Sequence, residues 1–278
     1  MKKPGFSVEV FPPKINDGIE VIYRPLDGIA ALSPDYISVT YSAGGSAKGL
    51  TLEVCEFIKK VHGIESVVHL TCANSSASYI DDYLDKLHYA GIDYVLALRG
   101  DLADENQLSD YRYASDLIRD IKNKGAQHIF AACYPEGHKD SPSFDMDIRI
   151  MKLKEDLGAE HFISQLFFDE ADFFRMTEQA RAQGVKSDIV AGIMPVTNAK
   201  QIVRMVQLSG AKIPESLSRL IAKYEYDPKG LYEAGIEFSI NQSVKLLEGG
   251  ADGLHLYAMN NALVAKKYYE GVRVSLGR

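Results

Sequence analysis

Seven apolar, strand-like runs in this sequence each finish on a side chain able to hydrogen-bond or carry charge: Glu9, Thr40, His69, Arg99 with Asp101, Tyr134, Gln165 and Tyr257. The run from Tyr94 to Leu98 shows it best, apolar and aromatic until it meets Arg99, Gly100 and Asp101. A buried polar group costs free energy unless it is partnered, so one such residue reads as a satisfied structural group. Seven in equivalent positions read as a site. Carboxyl, imidazole, guanidinium, phenol and amide groups together can move protons and hold a polar ligand by hydrogen bonds. Arg99 and Asp101, taken alone, could equally well pair only with each other.

Such a set requires elements that bring strand ends to one place. Eight strand-like runs are present, at residues 6–11, 36–41, 67–72, 94–99, 128–134, 161–168, 188–195 and 253–260. Between them lie segments with helical periodicity, among them 78–90 and 113–124. Alternation of strand and helix predicts a parallel sheet, and eight units predict a closed (β/α)8 TIM barrel, one α/β domain over residues 1–278. In that fold the site lies at the C-terminal strand ends, where the polar residues fall. Four units echo one another, in AGIDYVLAL, KGAQHIFAA, LGAEHFISQ and GGADGLHLY, so Gly91, Gly125, Gly158 and Gly250 are expected to end helices in the left-handed conformation. The long connection from about Ser209 to Gly230 is expected to hold an extra helix, SLSRLIAKY, before the last long one at 230–249. Pro25 is expected in a first helical turn.

The 278 residues are 46% apolar and 25% charged, values of a soluble globular chain. A net charge of -7 argues against a nucleic-acid surface, which needs clustered Lys and Arg. Cys55, Cys72 and Cys133 show no metal-ligand spacing, so no metal is expected, and their odd number suits reduced thiols in the cytoplasm. Glu9 interrupts the first apolar segment too early for a signal peptide, and no run approaches membrane-spanning length.

Other conspicuous residues carry plainer readings. GGSAKGLT (44–51) has Leu50 where a phosphate-binding P-loop needs lysine, and is expected to be a mobile strand-to-helix loop. His62, His88, His128 and His161 fall on helices or strand starts and are expected to be structural or exposed. His255, within a strand, could be either structural or functional. Cys133 lacks an evident neighbouring base, and Phe173 with Phe174 reads as core.

In order along nearly the whole chain, SVEVFPPK, ISVTYSA, VHLTC, ALRGD, YASDLI, ACYPEGH, ISQLFFD, GIMPV and LYAMN resemble methylenetetrahydrofolate reductases of the bacterial, flavin-containing type. The resemblance implies a barrel that binds FAD and uses NADH or NADPH to reduce methylenetetrahydrofolate to methyltetrahydrofolate in one-carbon metabolism. It implies that Glu9 is the acid that helps open the folate's five-membered ring, for which an apolar strand-end pocket would raise the carboxyl pKa in the useful direction. It places Asp101 near flavin and pterin, where its charge tunes both. Thr40, Tyr41, Ala43, His69, Arg99, Gly100, Ala114, Tyr134, His138, Asp147 and Lys154 would line the FAD, with Gly100 letting the backbone approach a flat ring. Gln165, Gln201 and Tyr257 would contact the folate or the nicotinamide. Small molecules are the implied partners, with neither nucleic acid nor membrane, and a homo-oligomer is compatible with all of this.

The chain also departs from that pattern. Ile150 and Leu153 stand where the family often has Asn and Arg near the FAD phosphates, Met205 replaces a stacking aromatic, and Asn261 replaces an arginine after the last strand. Weaker FAD binding is expected unless Arg149 or Lys152 reaches the phosphates instead, or Ile150 and Leu153 form an apolar wall that grips the adenine. Rival expectations are a homologue that oxidises methyltetrahydrofolate or draws electrons from a partner protein, and a flavin- or folate-binding barrel without turnover. Mere binding has no need of Glu9.

Overall fold

The computed structural model describes residues 3–14, 17–41, 48–73, 75–100, 109–125 and 128–278, so Ala43, Asp101 and most of the loop before Lys48 lie outside the described residues. Eight strands, β1 (Gly5–Val10), β2 (Tyr36–Val39), β3 (Glu65–Thr71), β4 (Tyr94–Leu98), β5 (His128–Cys133), β6 (Ala159–Ser164), β7 (Asp188–Ile193) and β8 (Gly253–Tyr257), form a closed barrel in chain order. Every neighbouring pair is parallel, and β1 closes the ring on β8 with Ser7 opposite His255 and Glu9 opposite Tyr257. All eight expected strands are present. Each ends one to four residues early because the last residues leave the ladder to build the site; Gln165, just past β6, donates its N–H back to the Cys133 carbonyl at 2.8 Å.

The helices are α1 (Glu20–Ala30), α2 (Lys48–His62), α3 (Ala77–Tyr89), α4 (Ala114–Lys124), α5 (Phe144–Asp156), α6 (Glu170–Ala182), α7 (Ala199–Ser209), α8 (Glu215–Lys223), α9 (Pro228–Glu248) and α10 (Ala262–Val272). The expected extra helix before the last strand is α8. Gly91, Gly125, Gly158 and Gly250 follow their helices at φ of 71°, 83°, 121° and 91°. At three of them, Gly91, Gly125 and Gly250, a Cβ would meet nothing within 4 Å, so backbone conformation rather than space calls for glycine. Pro25 departs from expectation: it lies in the interior of α1, not in its first turn. The proline has no N–H for the carbonyl of residue 21, but Val21 is exposed, so water can solvate that carbonyl while Ile22, Leu26 and Ile29 keep the buried face.

Side-chain alternation along each strand sorts the barrel into two environments. Phe6, Val8 and Val10 of β1 pack outward under the helices, in the same core as Ile37, Val68, Val95 and Leu254. Ser7 and Glu9 point the other way, into the barrel. Val67, Leu96, Phe130 and Ile163 form a separate interior layer. Among the described residues no helix is long and apolar enough to cross a membrane.

Candidate active site

At the C-terminal end of the barrel a cavity of about 400 Å³ is lined by Glu9, Thr40, Tyr41, His69, Arg99, Gly100, Tyr134, His138, Gln165 and Tyr257. The strand-end ring expected from sequence, apart from Asp101, which lies outside the described residues, is therefore one concave surface, completed by Leu96, Leu98, Ser164, Met194 and Met205. A second cavity of about 450 Å³ contains Ala114, Asp147, Ile150, Leu153 and Lys154. The two are contiguous through Leu98, Arg99, Ala132, Tyr134 and His138.

Glu9 sits between two imidazoles, its Oε2 3.6 Å from His69 Nε2 and 3.9 Å from His255 Nε2. Burial pushes the His69 pKa down to about 4, partly opposed by the charge of Glu9, so this ring is neutral at physiological pH. Its Nε2 makes no hydrogen bond to a described residue and faces the carboxyl. Tyr257 donates its hydroxyl to the Ser164 carbonyl at 2.7 Å, and burial, then the charge of Glu9, holds it well above the ordinary phenol range. Gly192 makes room for that ring, since a Cβ there would lie 2.2 Å from the Ser164 oxygen and 2.7 Å from Tyr257.

Arg99 has a partner beyond its own strand end, and its relation to Asp101 lies outside the described residues. Its guanidinium meets Asp140, 41 residues on, at 2.6 Å, which holds that carboxyl below its usual range. Asp140 Oδ2 is 4.0 Å from His138 Nδ1, and the Asp140 N–H donates to that nitrogen at 3.1 Å. Asp147 accepts from the His138 N–H at 3.0 Å, and Lys154, buried, donates to the Ala132 carbonyl at 2.8 Å. Desolvation pulls the Lys154 ammonium down to about 8, opposed by Cys133 and Asp147. A buried ammonium held by one carbonyl, next to a cavity with apolar walls, fits a ligand that brings both a phosphate and a flat ring system. Gly100 fits as well: it adopts φ 84°, and a Cβ there would press on Thr71 at 3.0 Å.

One expected site residue, Gln201, is absent from the cavity lining. Gln201, one turn before Met205 on α7, accepts from the Thr197 hydroxyl at 3.1 Å and is not among the lining side chains; the end of α7, at Met205, Leu208 and Ser209, reaches the cavity instead. Asn261 caps α10 by accepting from the N–H groups of Leu263 and Val264 at 3.1 Å, so the residue in the arginine's place serves the helix. Arg149 and Lys152 are occupied by carboxylates of their own helix, Asp145 for the first, Glu155 and Asp156 for the second. Cys133 is buried with its thiol pushed up to about 12, and His128 and His161 pair with Glu160 and Asp188.

Sequence reasoning missed Ser7, Ser38, Asp140 and Asn260, and left His255 open. His255 is fully buried beneath Glu9. Asn260 clamps the first strand to the last, accepting from Phe11 N at 2.9 Å and donating to Phe11 O at 2.8 Å. The signal for Ser7 was present: two residues before Glu9, it shares that residue's face of the strand.

A family model described as methylenetetrahydrofolate reductase matches residues 1–272. The chain is 33% identical over 276 residues to methylenetetrahydrofolate reductase 1 of Schizosaccharomyces pombe, covering 97% of this chain and 46% of the fungal one. It is 32% identical over 256 residues to the 5,10-methylenetetrahydrofolate reductase of Pectobacterium carotovorum subsp. carotovorum, covering 92% of this chain and 86% of the bacterial one. The chain thus spans about half the length of the fungal relative. An uncharacterized protein from Clostridium thermocellum that binds two copies of 5-methyl-5,6,7,8-tetrahydrofolic acid shares the fold, with a TM-score of 0.73 and 12% identity over 100% of this chain and 96% of that one.

Proposed function

Since the chain belongs to the methylenetetrahydrofolate reductase family, we propose that it reduces methylenetetrahydrofolate to methyltetrahydrofolate with electrons that NADH or NADPH delivers through a bound FAD. The observation that carries this is the placement of Glu9, a carboxyl in the cavity wall between two imidazoles, where an enzyme of this reaction needs an acid.

In this scheme Lys154, Asp147, Ala114 and His138 hold the phosphate-bearing half of the flavin, and Thr40, Tyr41, His69, Arg99, Gly100 and Tyr134 surround its ring. Ala43 and Asp101 are assigned with them by the family pattern. When bound, the flavin supplies a carrier that takes up a hydride from one substrate and releases it to the other. The protein supplies the proton. Glu9 gives its proton to the ring nitrogen that leaves as the folate's five-membered ring opens, and the bridging carbon, left cationic, takes the hydride. Glu9 then recovers a proton from solvent, which its partly exposed carboxyl can reach. Gln165 orients the folate from the strand end opposite, and Tyr257, fixed on Ser164, forms the wall behind Glu9.

Glu9→Gln separates the two halves of the reaction, because reducing the flavin needs no acid and opening the folate ring does. In stopped-flow, flavin reduction by NADH should proceed normally while reoxidation by methylenetetrahydrofolate slows by a factor of about 100 to 10,000. Reoxidation at the wild-type rate would remove Glu9 from the acid's role.

A further inference from the structure

The turn after β5 places Tyr134 and His138 in the wall of the strand-end cavity, while Glu136, between them, reaches the chain that joins α7 to α8. Both oxygens of the Glu136 carboxylate accept from the Lys212 backbone N–H, at 3.1 and 3.0 Å. The side chain is only 9% exposed, and burial raises its pKa against the bond from Lys212. The turn that carries it is held on every side. The Gly137 N–H donates to the Tyr134 carbonyl at 3.0 Å with φ of 90°, Asp147 accepts from the His138 N–H at 3.0 Å, and the Pro135 carbonyl accepts from Arg175 of α6 at 3.3 Å.

The helices on the other side of that bond are lightly held. Among the described residues, Ile202 is the one buried residue of α7 and Leu217 the one of α8, while Val203 and Leu208 stand exposed. With Ala211 from the link, Ile202 and Leu217 pack on Leu166, Phe168, Met194 and Val196 in a small cluster separate from the main core. Few buried apolar contacts mean a low cost of local opening. Met205 and Tyr257 lean on this cluster and also line the cavity, so a shift of α7 moves a wall of the site. We propose that Glu136 is a positioning residue for substrate binding: its grip on the Lys212 N–H fixes where α7 lies, and with it the Met205, Leu208 and Ser209 wall that receives folate and nicotinamide in turn. The inference rests on the proposed function of this cavity and adds which residue sets its α7 wall.

The backbone bond, not an ion pair, carries the hold. The Lys212 ammonium is 3.9 Å from Glu136, but its side chain is 77% exposed, and an exposed charge at that distance contributes little. Arg175 is taken by Asp172 at 2.7 Å and lies over the Phe144 ring at 4.7 Å. A carboxylate makes a stronger, directional bond to an N–H than a neutral acceptor does, and an amide oxygen in the same place can still accept it. No residue of α7 is among the described residues that line the second cavity, so flavin binding there does not depend on where α7 lies.

The test compares Glu136→Ala and Glu136→Gln with the wild type, all saturated with FAD. Hydrogen exchange over residues 205–213 should quicken about tenfold in Glu136→Ala and not in Glu136→Gln, with the eight strands as protected as before. Titration with methyltetrahydrofolate should show binding about tenfold weaker in Glu136→Ala, and KM for methylenetetrahydrofolate should rise by the same factor while kcat stays within about twofold. Glu136→Gln should restore both, and FAD affinity should be equal in all three proteins. Lys212→Pro removes the N–H itself and leaves the turn untouched, so it should weaken folate binding likewise, and it decides the matter if Glu136→Ala does not fold. Unchanged folate affinity in the folded variant overturns the inference, as does an equal loss of FAD affinity, which would mean that the whole turn had collapsed. If the wild type binds FAD but no folate, the proposed function falls and this inference with it; if the wild type and Glu136→Ala bind folate equally, the inference alone falls.

Discussion

The Lys154 ammonium reaches the Ala132 carbonyl at 2.8 Å, and among the described residues no carboxylate comes within ion-pair distance of it. The folded protein holds this lysine at a pKa of about 8, below the ordinary 10.5. Between those values the unfolded chain binds more protons than the folded one, so stability rises as pH climbs through that window and the penalty is fully present below it. At one unit per 1.36 kcal/mol the penalty near neutrality is roughly 3 kcal/mol. Lys154→Met should therefore raise the melting temperature of the flavin-free protein at pH 7, with the gain fading toward pH 11, and should weaken FAD binding. A variant that melts lower at pH 7 would show that the ammonium is a net stabiliser and not a charge waiting for its ligand.

Flavin affinity should respond to the wall of the second cavity. Arg149 and Lys152 are engaged by carboxylates of α5, while Ile150 and Leu153 line the cavity, so the apolar wall is what this chain offers where its family often has polar groups. Leu153→Arg adds a donor for charge-assisted hydrogen bonds to phosphate, each worth roughly 1.5 to 3 kcal/mol. FAD should bind about tenfold tighter for each 1.4 kcal/mol gained, read by fluorescence titration. Equal constants for the two proteins would mean that the phosphates do not lie beside residue 153.

Gly192→Ala should be among the most damaging single-methyl changes in the barrel. The new Cβ would lie 2.2 Å from the Ser164 carbonyl oxygen and 2.7 Å from the Tyr257 ring, and a neighbouring strand cannot yield as a flexible side chain does. Overpacking of this kind costs about 1 to 3 kcal/mol or more. Thermal unfolding should show the loss, and folate binding should weaken because Tyr257 is displaced; an unchanged melting temperature would contradict the close packing of β6, β7 and β8 around this ring.

Steady-state kinetics should be ping-pong, because the strand-end polar groups line a single cavity that must receive nicotinamide and folate in turn. Parallel double-reciprocal lines are expected. Intersecting lines would require both substrates bound together and a second place for one of them.

Much of this was legible in the sequence because strand, helix and cap signals are local. Apolar runs separated by periodic helices specify a parallel barrel, and the glycines after helices mark where strands resume. Glu9, His69, Arg99, Tyr134, Gln165 and Tyr257 could be placed at one mouth because the fold puts every strand end there. What escaped depends on closure and on pairing at a distance. His255 reaches Glu9 only because β8 lies against β1, joining residues far apart in the chain. Arg99 finds Asp140 in the loop after the next strand, and Asn260 finds Phe11 across the closing seam. Pro25 followed a different logic: a helix tolerates an interior proline when the carbonyl it strands is exposed, and exposure is a tertiary property. Gln201 was assigned by family position, and the turn of α7 it occupies points its amide at Thr197.

The most direct measurement follows the visible spectrum of the purified protein under anaerobic conditions. A flavin absorbance is expected at the start, bleached by NADH or NADPH and restored by methylenetetrahydrofolate, with one methyltetrahydrofolate formed for each flavin reoxidised. A protein saturated with FAD whose reduced flavin persists in excess methylenetetrahydrofolate would contradict the proposed reaction, leaving a barrel that binds the flavin without passing its electrons to the folate.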